Sequence, residues 1–195
     1  MPGSSKPVAF ATSNRGKIEE ARIALSPFGI AVRPFNGKGL EVQAETVSEV
    51  AAFSARVASR RYRRALIVED AGLFVDSLQG FPGPFSSYVH KTLGIAGLLS
   101  LLEGARSRRA SFKSAVAYCD PAGEPRVFEG IVTGRISRSP SGDNGFGFDP
   151  VFVPTGSRRS MGQLTLGEKC AVSHRGAALR KFAAWYTGSN AGQLF

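Results

Sequence analysis

The stretch VEDAGLFVDSLQGFPGPFSSYVHKTL, residues 68–93, decides how this chain is read. The apolar run Leu66, Ile67, Val68 predicts a buried strand that ends in two adjacent carboxylates, Glu69 and Asp70. Acids at the end of a buried strand are costly unless solvated, paired or bound to a cation. In open α/β sheets the same position is where ligands collect. Ala71, Gly72 and the loop GFPGPF follow, and a helix is expected over 86–102, opening just after Pro84.

Working outward, residues 7–12 (PVAFAT) read as a strand and 13–17 (SNRGK) as a short polar loop. A helix is expected over 16–26, with Ile18, Ala21, Leu25 and Phe28 at helical spacing. A strand, a loop bearing Gly16 and Lys17, and a helix start together make an anion site. Free backbone N–H groups and the helix dipole point at the ligand, and Lys17 adds a point charge. The spacing of a Walker loop is absent. The plainer alternative is a βα turn with Ser13 or Asn14 as helix cap. Further strands are expected over 30–35, 65–70, 111–119 and 126–137, and further helices over 46–62 and 175–186. The early β-α-β-α-β order implies parallel pairing. The turn Asp120-Pro121-Ala122-Gly123 makes the last two strands a hairpin, so the sheet is expected to be mixed.

The chain has 195 residues, which points to one domain over 1–195 with a sizeable core. No apolar run approaches the ~20 residues needed to span a membrane, and MPGSSKPVAF lacks the long apolar core of a signal peptide. A cytoplasmic protein is the resulting expectation, with Cys119 and Cys170 as free thiols. The net charge is +10, with arginines clustered at 60–64, 106–109 and 158–159. Such an excess attracts polyanions. The alternative is solvated helix ends and loops, with Arg60 to Arg64 at a helix C-terminus, where cations suit the dipole.

Three more segments bear on chemistry. In SPSGDNGFGFDP (139–150), Phe146 and Phe148 flank Gly147, and Asp149 precedes Pro150. A ring on such a loop can stack on a nucleobase, or both rings can plug the core beneath it. In EKCAVSHR (168–175), Ser173 is a good N-cap. That puts His174 and Arg175 in a first helical turn, where cations oppose the dipole and a bound anion or keto oxygen would relieve the mismatch. In LEVQAE (40–45), Glu41 or Glu45 can join Asp70 around a divalent cation, because Mg²⁺ takes only one or two protein carboxylates plus substrate phosphates.

These segments, with FEGIVTGRI (128–136) and EKCAVSHRGAAL (168–179), resemble in this order the inosine triphosphate pyrophosphatase family over nearly the whole chain. The form FPGPFSSYVHKTLG (81–94) is similar to its archaeal and eukaryotic branch. Glu69 stands where the family usually has aspartate, and Ala71 where it often has serine, so no hydroxyl contact carries over to 71. The resemblance implies an α/β fold with an elongated mixed sheet, flanking helices and two lobes around a central nucleotide cleft. It implies Mg²⁺-dependent hydrolysis of ITP, dITP and XTP to the monophosphate and pyrophosphate, cleansing the nucleotide pool. It also implies a homodimer, with no membrane or specific nucleic-acid partner.

Carried over by position, Thr12, Ser13, Asn14, Arg15, Gly16 and Lys17 would hold the triphosphate. Glu41 and Asp70 would hold Mg²⁺, and Asp70, helped by Glu69, would activate water. Ala71, Phe146, Gly147 and Phe148 would line the nucleotide site, with Phe146 stacked on the purine. Lys169 would add charge near phosphate or base. Asp149, His174 and Arg175 would face the base edge, Arg175 favouring a 6-keto group. The alternatives are a pyrophosphatase for pyrimidine nucleotides and a non-catalytic nucleotide- or RNA-binding protein.

Overall fold

A computed structural model describes residues 7–37 and 42–188. Among them, seven strands form one sheet in the order β2-β1-β3-β5-β6-β7, with β4 paired to β3. β1 (Val8–Ala11) and β2 (Val32–Phe35) flank α1 (Arg15–Leu25), and α2 (Val47–Tyr62) leads into β3 (Leu66–Val75). β1 pairs with β2 and β3 in parallel. The long strands β5 (Arg109–Cys119) and β6 (Arg126–Ile136) form an antiparallel hairpin on β3, and β7 (Phe152–Pro154) closes that side. The mixed α/β architecture follows the expectation, and the turn at 120–123 is closed by Gly123 N donating to the Asp120 carbonyl.

Local chemistry explains the helices. α2 opens on a capping box: Thr46 accepts from the Glu49 N–H, and the Glu49 carboxylate accepts from the Thr46 N–H. Arg60 and Arg61 lie in its last turn and Arg63 caps it in a left-handed conformation, so this cluster sits at a helix C-terminus as expected. The buried alanines Ala51, Ala55 and Ala58 let α2 sit close on Ala115 and Ala117 of one sheet face. On the other face, Leu179 and Phe182 of α6 (His174–Thr187) pack with Val8, Phe10 and Ile67. A third core joins Leu73, Phe112, Ile136 and Phe152 to Leu98 of α4 (Gly94–Leu101).

Two expectations need correction, and one helix is added. The strand does not end at the acids: β3 runs through Glu69 and Asp70 to Val75, because β5 pairs with it along its whole length. The single helix over 86–102 is two, α3 (Ser86–Thr92) and α4, since Gly94 takes a positive φ of 66° that ends the first. The segment before Ser173 is itself a helix, α5 (Leu166–Val172), with its own capping box between Thr165 and Glu168. The short strands β4 (Pro82–Gly83) and β7 carry no pattern long enough to read from sequence.

Candidate functional site

β1 stops at Ala11, with its last partner on β3 at Phe10↔Ile67, and β4 begins to pair only at Leu73. Between them the edge of β3 at residues 69–72 is open. Lys17 Nζ donates to the Glu69 carbonyl there (3.0 Å), and Ser86 Oγ accepts from the Leu73 N–H (2.7 Å). This gap floors a cavity of about 520 Å³, within the size of small-ligand sites. A smaller chamber of about 180 Å³, lined by Asn36, Gly37 and Val68, continues past the shared residues Thr12, Ser13, Lys17 and Asp70.

The loop before α1 forms one end. Asn14 is the cap, accepting from the Lys17 N–H, and Thr12 Oγ1 accepts from the Asn14 N–H. Thr12, Ser13, Asn14 and Lys17 line the cavity. Arg15 is exposed and lines neither cavity, so its expected place at the phosphates is not met. Gly16 lies beneath the Phe146 ring: a Cβ there would stand 2.8 Å from it.

Strand alternation sends the adjacent acids to opposite faces of the sheet. Glu69 is buried between Lys17 Nζ (2.9 Å), Arg175 Nε (3.0 Å) and the Ser114 hydroxyl, which donates at 2.5 Å. Burial alone would raise its pKa, but Arg175, Lys17 and Ser114 hold it far below the usual carboxylate range. Glu69 is therefore a counterion, and it acts on Asp70 through its charge rather than through a contact. Asp70 is the reverse. Burial pushes it up to about 7, against Lys17 and with the nearby Glu69 charge, and its Oδ2 has no hydrogen-bond partner among the described residues.

The other end is a chain of alternating charges. Lys169 bridges Asp149 (2.6 Å) and Glu20 (2.8 Å), Arg175 bridges Glu20 (2.8 Å) and Glu69, and Glu69 holds Lys17. Three acids and three cations thus balance, all buried except Lys17. Burial would raise Glu20, but Arg175 and Lys169 hold it below its ordinary value. For Asp149 burial wins over Lys169 and the pKa is raised. The mismatch expected at the start of α6 is relieved by Glu20 and Glu69, and a bound anion is not required for it. His174 adds no charge: burial, then Arg175, keeps it well below its ordinary pKa, so the ring is neutral. It stacks on Phe112 with ring centroids 4.7 Å apart, and its buried Nδ1 has no partner among the described residues.

Phe146 is half-buried in the cavity wall, with Lys169 Nζ 4.6 Å and the Arg175 guanidinium 5.2 Å from its ring centre. Phe148 and Gly147 also line the cavity, but Phe148 joins the core and meets His90 edge-on, so Phe146 is the more open of the two rings. Ala71 also lines the cavity. Lys169, expected to add charge near phosphate or base, lines the cavity with its ammonium held between two carboxylates.

Among the described residues no three His, Cys, Asp or Glu side chains gather to hold a metal. Glu41 lies outside the described residues, and Glu45 is exposed and lines neither cavity. The unpartnered Asp70 Oδ2 does fit a cation completed by substrate oxygens. Glu20, Ser114, Phe112 and the α3 residues Ser87, His90 and Lys91 were missed from sequence. For Glu20 one signal existed: it follows Lys17 by three positions, on the same side of α1.

The family model described as the Ham1 family matches residues 8–185. A dITP/XTP pyrophosphatase of Methanopyrus kandleri is 45% identical, over 95% of this chain and 99% of its own length. One of Thermococcus kodakarensis is 47% identical, over 91% and 96%. Among solved structures, a HAM1 protein from Coxiella burnetii matches with a TM-score of 0.81 and 32% identity, covering 93% of this chain and 98% of that one. These proteins bear out the resemblance read from spaced motifs: the chain belongs to the Ham1 family.

Proposed function

We propose that this chain hydrolyses deaminated purine nucleoside triphosphates, ITP, dITP and XTP, to the monophosphate and pyrophosphate. The observation that carries this is one cleft with an unspent carboxylate, Asp70, at one end and a neutral, unpartnered His174 at the other. Relatives named dITP/XTP pyrophosphatase, matched over nearly their full length, support it. No described helix is long and apolar enough to cross a membrane. The chain then acts as one catalytic domain over 1–195, as a homodimer in the cytoplasm.

The polyphosphate lies along residues 12–17, where the start of α1 offers free N–H groups and Lys17 offsets charge. Asp70, with Glu41, would hold Mg²⁺. When bound, the ion draws off charge that develops on the departing pyrophosphate. Asp70 orients the attacking water and takes its proton. The water oxygen bonds to phosphorus as the α–β bridging bond breaks and pyrophosphate leaves. Glu69 contributes by fixing Lys17 and Arg175.

The purine stacks on Phe146. His174, with its proton on Nδ1, and Arg175, clamped by Glu20 and Glu69, present donors to the 6-keto oxygen. Adenine would set its amino donor against them, and a stranded buried donor is strongly disfavoured. A pyrophosphate-release screen over ITP, dITP, XTP, GTP, ATP and the pyrimidine triphosphates, with and without Mg²⁺, tests this. Mg²⁺-dependent release strongest from the first three is expected. Preference for dTTP or UTP, or release of orthophosphate, would contradict it.

A further inference from the structure

The six-charge chain at the site is balanced, so the surplus positive charge of this protein lies elsewhere. Part of it lies on a sheet face that α2 covers only in part, its start ending beside Lys113 and Ile131. That helix covers Ala115 and Ala117 of β5, and the hairpin runs on beyond it. There Arg109 stands directly opposite Arg135 on β6. Alternation puts Ser111, Lys113, Ile131 and Thr133 on the same face. Arg109, Arg135, Thr133 and Ile131 are exposed, the last by 56%.

Like charges directly opposite on paired strands are destabilising. Among the described residues no carboxylate comes within ion-pair distance of Arg109, Arg135 or Lys113. Arg108, one position earlier and therefore on the opposite face, is fixed by the carbonyls of Leu102, Ile136 and Ser137 at 2.8–2.9 Å and takes no part in this one. A small anion would answer one pair. The run from Lys113 to Arg109 and Arg135 suits a chain of anions, and an open sheet face suits a single strand better than a duplex groove.

We infer that this basic sheet face binds single-stranded nucleic acid through its phosphates, without preference for base sequence. The cations and hydroxyls of the face, Ser111 and Thr133 among them, contact the backbone, and Ile131 gives apolar support. None of these residues lines the nucleotide cavity, so binding here is separate from turnover.

The test is fluorescence anisotropy with a labelled oligothymidylate of about 20 nucleotides across a salt series from about 50 mM. Affinity should fall with salt. The double variant R109Q/R135Q should bind at least about 10-fold more weakly, with a salt slope shallower by about 1.4, since each single-strand phosphate contact adds ~0.7. R109K/R135K should retain binding, and pyrophosphate release should match wild type in both. No wild-type binding at about 50 mM salt, an unchanged slope in R109Q/R135Q, or displacement of the oligonucleotide by ITP would overturn the inference. So would sedimentation showing that R109Q/R135Q only dissolves a self-association, which would make the face a contact between copies.

Discussion

The two ends of the cleft, one proposed for the base and one for the phosphates, handle buried charge in opposite ways. At the base end every acid has met its cation: Asp149, Lys169, Glu20, Arg175 and Glu69 form a closed sequence of partners. At the phosphate end Asp70 is left with an oxygen that nothing in the described chain satisfies. The first arrangement is finished before a ligand arrives and can hold Phe146 and His174 in fixed positions. The second would be completed, on the proposed function, by cation, water and phosphate. A carboxylate kept in this state is costly to the fold, and that cost marks it as chemistry rather than architecture.

Asp70→Asn breaks the contrast most sharply. Turnover should fall by at least about 10³-fold, ~4 kcal/mol of transition-state stabilisation. The melting temperature above neutral pH should hold or rise, because folding no longer buries a charge whose pKa it has pushed from 3.8 up to about 7. Normal rates, or a collapse of stability, would remove Asp70 from its role. Glu20→Gln should do the reverse. It leaves Lys169 and Arg175 short of a counterion and should cost about 3 kcal/mol, with KM for ITP rising more than kcat falls. A neutral outcome in thermal melts would mean that the chain of charges does not hold the base end together.

Acid should separate the ends as well. Glu20 and Glu69 are held below their ordinary value of 4.5 in the folded chain. Their stabilisation is therefore full above that value and lost as the pH falls below it. Asp70 has the opposite sign: its cost is absent in acid and grows as the pH rises toward 7. Melting curves should show a steep loss below about pH 4.5 that is shallower in Glu20→Gln; parallel curves for the two proteins would deny the charge chain its part. Thr46→Ala, on the remote start of α2, should cost only about 1 kcal/mol and leave substrate preference unchanged.

Much of the framework was legible because it is written locally. The loop into α1, the Thr46–Glu49 capping box and the Asp120–Gly123 turn each lie within a few residues. The resemblance added the site motifs, since it draws on segments spread over the chain. Glu20 stayed hidden because its partners lie 149 and 155 positions away, and in sequence it is one more acid on a helix. The same distance explains β3. Glu69 looked like a strand end, but Lys17 and Arg175 let the strand carry a charge through its interior. Arg175 and Lys169 looked like free cations for the same reason, since nothing near them in sequence announces the carboxylates that neutralise them.

The separation of the two ends is tested most directly by calorimetric titration of IMP and AMP, the monophosphates, into Asp70→Asn and His174→Ala. Asp70→Asn should keep the wild-type preference for IMP over AMP, while His174→Ala should lose most of it. Loss of the preference in Asp70→Asn, or its survival in His174→Ala, would contradict the division of the cleft into a prepared base pocket and a phosphate end completed by its ligands.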